Sequence, residues 1–400
     1  MHKYSPPTID GRRRTLKGGI MDLELTQDQK MLQEMVRKFA STELEPVAAE
    51  IDKSREFPWQ NIKKMAKLGL LGIIIPEEYG GGGLDFVSLA IAIEEISRVC
   101  ATTGVIVAVN NSLAAYPIYQ FGNEEQRKKY LPLLARGEKL GAIGITEPNA
   151  GSDVAGMEST ARLEGNYYIL NGTKRFITNA GEAGIYIVFA YTDKSLKHKG
   201  ISAFIVERDT PGFSLGEHED LMGIRATANC ELILEDAKVP KENLLGEEGQ
   251  GFKICMHTLD VSRIDIGAQA VGLAQGALDA AIKYSKERKQ FGRPICEFEL
   301  IQGMLAEMAT QIAAARLLVY YAAYLKDKGV HRFSKESSMA KWFAAETAVN
   351  VTRKACQIYG GYGYTKDYAV ERYYRDAKIM ELYEGTSEIQ KIVIARSLLA

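Results

Sequence analysis

At 400 residues, 46% apolar and 25% charged, the chain is long enough for two or three domains with real cores and too apolar to be disordered or fibrous. Lys and Arg number 50 and Asp and Glu 51, a formal net charge of −1, so the overall basic excess of a nucleic-acid binder is missing. Five scattered cysteines (Cys100, Cys230, Cys255, Cys296 and Cys356) without a CxxC pair argue against a disulfide framework or a zinc site, no metal is expected, and they point to a reduced, cytoplasmic chain.

Met1–Ile20 is polar and basic and has no apolar stretch of the secretory kind; it reads as a disordered extension, with the folded chain beginning at Met21. From 21 to 140 the pattern is helical. Thr26 is placed to cap a helix that opens Gln27-Asp28-Gln29, and further helices are expected around 58–70, 86–99, 101–121 and 123–136. The apolar run Leu68–Ile75 is too short to span a membrane and ends at Pro76. Gly80–Gly83 marks a loop with no phosphate-binding spacing.

From 141 to 250 the texture changes to short apolar and β-branched runs separated by glycine and polar links. Tyr167–Leu170 precedes Asn171-Gly172, a hairpin signal, and Ile185–Tyr191, Gly200–Val206 and Glu231–Leu234 read as further strands. A central antiparallel β-domain of barrel or sandwich type is expected. From 251 to 400 long helices return, at 251–286, 297–327, 335–360 and 367–378, with a last one from about 386. Their alanine-rich faces predict a C-terminal four-helix bundle. The fold class is therefore α+β multidomain: an N-terminal α-helical domain, a β-domain and a helical bundle.

Four segments carry features suited to chemistry. Gly144–Asp153 is a loop of small and hydroxyl residues at the entrance to the β-domain. Arg175–Asn179 ends a strand with an aromatic and a hydroxyl. In Tyr284–Pro294, Arg288 closes a helix, where a guanidinium can clamp a phosphate and Phe291 can cover a ring. The last runs from Gln357 through Gly360-Gly361 to Tyr383-Glu384-Gly385-Thr386, and Glu384 stands in a turn between helices where a carboxylate can project into a cleft. No GxGxxG after a strand, no GxxxxGK[ST], no GxSxG and no HExxH occurs, so nicotinamide, nucleoside triphosphate, serine-hydrolase and zincin readings lack support.

In this order and spacing the four segments resemble the acyl-CoA dehydrogenase family, closest to its short-chain, butyryl-CoA-type bacterial members, over Leu25–Leu399. The resemblance implies the three-domain fold above, FAD as cofactor, a homotetramer sharing FAD sites between subunits, and an electron-transfer flavoprotein as partner. It implies that Thr146 and Ser152 lie against the flavin, Ser152 also meeting the CoA moiety, and that Phe176, Ile177 and Thr178 line the flavin ring. Arg288, Phe291, Gln357, Gly360 and Gly361 would reach the FAD of a neighbouring subunit, Gln302 would add a contact, and Thr386 and Glu388 would complete the cofactor site. Asp260, Arg263, Tyr383 and Gly385 would meet the acyl-CoA.

The implied reaction is α,β-dehydrogenation of an acyl-CoA to the 2-enoyl-CoA, which needs a base for the α-proton. Most members place it in YEGT, which is Glu384 here. Isovaleryl- and long-chain-type members use a glutamate directly before the arginine of a DxxR element, here Asp260-Val261-Ser262-Arg263, where serine cannot serve. Glu384 is therefore the expected base. An acyl-CoA oxidase or another flavoenzyme on this scaffold is the alternative, although glutaryl-type members carry histidine where Ser387 stands.

Overall fold

A computed structural model describes residues 24–400; the extension expected at Met1–Ile20 lies outside them. The N-terminal part is built from α1 (Gln27–Phe39), α2 (Ala48–Ser54), α3 (Trp59–Lys67), α4 (Phe86–Ser97), α5 (Ala101–Ala108), α6 (Tyr116–Phe121) and α7 (Glu124–Ala135). Thr26 caps α1 as its sequence position predicts. Its hydroxyl accepts from Gln29 N, and the Gln29 side chain accepts from Thr26 N.

The expected helix over 101–121 is interrupted by a π-helical segment, Val109–Ala115, between α5 and α6. The wider turn brings Asn110 and Asn111 inward. Asn110 Nδ2 donates to Leu71 O at 2.8 Å and its Oδ1 accepts from Gly141 N at 3.0 Å, while Asn111 Oδ1 accepts from Ile73 N at 2.9 Å. Two buried amides thus tie the apolar 68–75 segment and the first strand to the helical layer.

The central sheet contains β1 (Leu140–Gly144), β2 (Thr160–Glu164), β3 (Tyr167–Ile177), β4 (Ala183–Tyr191), β5 (Ile201–Glu207), β6 (Phe213–His218), β7 (Cys230–Pro240) and β8 (Leu244–Leu245). Its order is β6-β7-β3-β2-β4-β5-β8, with β1 also paired to β4. Most pairs are antiparallel, but β1 and β2 each meet β4 in parallel, so the sheet is mixed. The hairpin expected at Asn171-Gly172 is not there. Strand β3 runs straight through it, and the chain turns earlier, at Gly165-Asn166. Asn171 instead exchanges bonds with Asp236 on β7, and Gly172 fills a register shift where a Cβ would lie 2.2 Å from Ser159 Oγ.

The C-terminal part contains α8 (Gly251–Glu287), a small hairpin of β9 (Lys289–Gln290) and β10 (Arg293–Pro294), α9 (Glu299–Asp327), α10 (Ser334–Tyr359), α11 (Ala369–Lys378) and α12 (Ser387–Leu399). Helix α8 is buried along most of its length. Glycine lets it approach α4 closely: a Cβ on Gly272 would lie 2.1 Å from Glu94 O, and one on Gly276 2.0 Å from Arg98 O. One apolar core therefore runs from the N-terminal helices through α8 into the bundle. No helix among the described residues is long and apolar enough to cross a membrane.

Candidate active site at the Tyr383–Gly385 turn

The turn between α11 and α12 holds two successive residues in left-handed backbone, Glu384 at φ +53° and Gly385 at φ +93°. That conformation costs a non-glycine residue about 1–2 kcal/mol, so it persists only where the surroundings impose it. Here they do. Gln390 Nε2 donates to Glu384 O at 3.2 Å and to Gly385 O at 2.8 Å, and Lys341 Nζ on α10 donates to Gly385 O at 2.8 Å. The Tyr383 hydroxyl donates to Gln269 Oε1 on α8, and Thr386 caps α12 through Ile389 N.

The carboxyl of Glu384 is the result of this arrangement. Its Oε2 is buried and has no hydrogen-bond partner. Burial lifts its pKa to about 7, against the opposing pull of the Ser262 hydroxyl and the Lys341 and Arg263 cations. The N–H of Glu384 also donates to no group among the described residues. Arg263 is buried and bonds Asp260 Oδ1 at 2.6 Å, while its Nε stays unpaired; Asp260 also accepts from the Ser334 hydroxyl. Ser262, at the alternative base position, is buried and its hydroxyl turns to Leu259 O at 3.3 Å.

Further unpaired buried polar atoms gather on the same elements: Thr258 Oγ1 on α8, Ser338 Oγ and Trp342 Nε1 on α10, and Ser387 Oγ and Gln390 Oε1 on α12. Buried polar groups in folded proteins are normally bonded, so such a concentration fits a polar ligand. Away from this turn, glycines of the loop segments border open space. A Cβ on Gly151, Gly360 or Gly361 would meet nothing within 4 Å.

In the β-domain, the loop with Thr146 and Ser152 is held from beneath by a buried ion pair, Lys174 Nζ to Glu147 Oε1 at 2.6 Å. Glu147 also accepts from Glu158 N at 2.5 Å and Ser159 N at 3.0 Å. Burial pushes its carboxyl up, but the Lys174 ammonium and these donors outweigh it and hold it below the ordinary value. Thr146 O accepts from Arg175 N at 2.8 Å, which joins this loop to the end of β3. There Phe176 sits at φ +60° and is 55% exposed, Ile177 is buried and Thr178 is half-buried.

Arg288, Phe291, Gly360 and Gly361 converge elsewhere, on a cleft of about 1050 Å³ that includes none of Glu384, Asp260, Arg263 or Thr386. Phe291 is 94% exposed at φ +50°, and Arg288 lies over the Tyr362 ring, 5.5 Å from its centre. Gln302 and Gln357 lie outside this lining, and Gln302 donates to Cys296 O at 3.1 Å. Glu388 is exposed in the first turn of α12. Within one chain, then, the site residues named above form separate groups.

Sequence reasoning missed Lys341, Gln390 and Gln269. A signal existed for Lys341, a lone lysine in an alanine-rich helix face, and none for Gln269, which lies 114 residues from its partner Tyr383.

Comparison with known proteins agrees with this picture. Family models of the acyl-CoA dehydrogenase N-terminal, middle and C-terminal domains match residues 26–138, 142–237 and 249–399. A short-chain-specific acyl-CoA dehydrogenase of Clostridium acetobutylicum is 53% identical over 94% of this chain and 99% of its own. The solved butyryl-CoA dehydrogenase of Megasphaera elsdenii superposes with a TM-score of 0.93 at 47% identity, covering 95% of this chain and 100% of that one. A structure described as the electron transferring flavoprotein of Acidaminococcus fermentans gives the same TM-score at 54% identity, covering 95% of this chain and all of its own.

Proposed function

Because the chain belongs to the acyl-CoA dehydrogenase family, and to its short-chain type, we propose that it oxidises a short straight, branched or cyclic acyl-CoA to the 2-enoyl-CoA with Glu384 as the base. The observation that carries this reading is the buried, unpaired Oε2 of Glu384.

An α-proton of a thioester is too weakly acidic for a carboxylate in water. Two features of the turn address this. Burial strengthens Glu384 as a base by lifting its pKa to about 7. Its own N–H, free of any bond among the described residues, is available to the thioester oxygen where negative charge develops as the proton leaves. The α-proton passes to Glu384 Oε2. The family's cofactor is FAD, which when bound supplies the acceptor for the β-hydrogen. Thr146, Ser152, Phe176, Ile177, Thr178, Thr386 and Glu388 would hold it in the same subunit. Asp260, Arg263, Tyr383, Gly385 and Ser152 would hold the acyl-CoA, the Asp260–Arg263 pair being already fixed at 2.6 Å.

Arg288, Phe291, Gln302, Gln357, Gly360 and Gly361 would complete the cofactor site of a neighbouring subunit in a homotetramer. Their separation from Glu384 within one chain, and the exposure of Phe291, support that reading. An electron-transfer flavoprotein would take the electrons onward, in a transient encounter of small area. The test is direct. Butyryl-CoA added without oxygen should bleach the flavin absorbance of the wild-type enzyme, and Glu384→Gln should slow bleaching by about 10²–10⁴-fold while thioester binding persists. Bleaching at more than a tenth of the wild-type rate would place the base elsewhere. Reoxidation should be fast with an electron-transfer flavoprotein, slow in air and absent with NAD⁺; an equal rate in air, with hydrogen peroxide, would make the enzyme an oxidase.

A further inference from the structure

One buried acid takes no part in the chemistry above. Asp265 on α8 is 1% exposed, and neither of its carboxyl oxygens has a hydrogen-bond partner among the described residues. An unsatisfied buried polar group costs stability, so folding alone gives no reason to place an acid there.

The helix shows what Asp265 faces. Ser262, Asp265 and Gln269 fall at i, i+3 and i+7, on one side of α8. The Ser262 hydroxyl is near enough to Glu384 to lower its pKa, and Gln269 accepts from the Tyr383 hydroxyl. Asp265 therefore stands between the two residues that act on the catalytic turn, about 4.5 Å along the axis from Ser262. The Glu384 charge acts on the Asp265 carboxyl, so this side of α8 faces the turn that carries the proposed base. The π-helical segment 109–115 supplies the neighbouring hydroxyl, Ser112, which is near enough to pull the Asp265 pKa down somewhat, but its one proton is given to Ala108 O at 2.8 Å and is not free for the carboxyl. The nearby cations are engaged as well, Arg263 on Asp260 and Lys341 on Gly385 O.

Burial, with the Glu384 charge adding to it, pushes the Asp265 carboxyl well above the ordinary range, which favours the neutral acid. A neutral acid offers one O–H donor beside one carbonyl acceptor. A hydroxyl group, donor and acceptor in one atom, answers both. An ammonium would demand the ionised form beside Glu384, where a second carboxylate would hold the base's proton in place.

Resting on the dehydrogenase reading, we propose that Asp265 determines acyl specificity by receiving a hydroxyl carried beyond the β carbon, so that the preferred substrate is a hydroxylated short-chain acyl-CoA. The test compares 4-hydroxybutyryl-CoA with pentanoyl-CoA, which differ by a terminal hydroxyl against a methyl, using the FAD-loaded enzyme. Flavin bleaching by butyryl-CoA and by both of these thioesters is measured alongside; bleaching by none of them would remove the dehydrogenase reading, independently of their ratio. Wild type should favour the hydroxylated thioester in kcat/KM by about tenfold or more. Asp265→Asn, which keeps a donor and an acceptor, should retain the preference, and Asp265→Leu should reverse it. Asp265→Leu should also raise the thermal unfolding midpoint, because it removes an unpartnered polar group. A wild-type preference for pentanoyl-CoA, an unchanged ratio in Asp265→Leu, or a lowered midpoint in that variant would each overturn the proposal.

Discussion

Lys341 Nζ donates to the carbonyl oxygen of Gly385 at 2.8 Å, one residue beyond the proposed base. The lysine is buried, and burial lowers its pKa to about 8. It therefore does two things at once: it restrains the left-handed turn, and its positive charge opposes the rise of the Glu384 pKa.

Lys341→Met should loosen the turn and remove that opposing charge. Misplacement of a catalytic group by about 1 Å can cost on the order of 10²-fold, so kcat should fall ten- to a hundredfold. The acid limb of the kcat/KM profile, which follows deprotonation of Glu384, should move to higher pH. A profile that falls in height but keeps its midpoint would mean that Lys341 acts on the turn alone.

Stability reports the same carboxyl without any substrate. Burial raises the Glu384 pKa from the ordinary 4.5 to about 7 in the folded chain, so the folded state binds its proton more tightly than the unfolded state does. That contribution is present at low pH and is lost as pH rises through 7. Glu384→Gln, neutral throughout, should match wild type near pH 4 and exceed it at pH 8 by up to about 3 kcal/mol. Denaturant unfolding at both pH values reads the difference; a gap that does not change with pH would contradict the raised pKa.

Beneath the Thr146–Ser152 loop, Lys174 and Glu147 form an ion pair with both side chains almost entirely buried. Removing one partner leaves the other charge uncompensated. Lys174→Met should cost about 3–5 kcal/mol, and Glu147→Gln added to it should recover part of the loss. A double variant as unstable as the sum of its single variants would show that the two side chains do not interact.

What could be read in the sequence follows from how local each feature is. Thr26 and Gln29 lie three residues apart and cap α1 as expected. Tyr383–Thr386 is a contiguous motif whose bend is local. The bonds that hold the bend are not: Lys341 lies 44 residues from Gly385, and Gln269 lies 114 from Tyr383. Asn171-Gly172 misleads for the same reason. Its turn propensity is local, but pairing of β3 with β7 and the close pass of Ser159 override it. Asp265 looks in the sequence like any helical aspartate, and only the packing of α8 makes it a buried acid without a partner among the described residues.

Arg288 tests whether the separated groups of site residues meet between subunits. In one chain it follows the last residue of α8 and lines the cleft with Phe291, Gly360 and Gly361, and its guanidinium has no carboxylate partner among the described residues. A cation left unpaired beside an exposed aromatic is poorly explained by the fold of one chain, but well explained by a phosphate supplied across an interface, where a charge-assisted contact is about twice as strong as a neutral one. Arg288→Ala should therefore lower the flavin-to-protein absorbance ratio and shift the oligomer toward smaller species, while the circular dichroism of the subunit stays as in wild type. Arg288→Lys should recover part of the loss, because it restores the charge without the bidentate geometry. Light scattering coupled to gel filtration measures the assembly. A variant that remains fully loaded with flavin and fully assembled would place the cofactor's phosphates out of reach of Arg288.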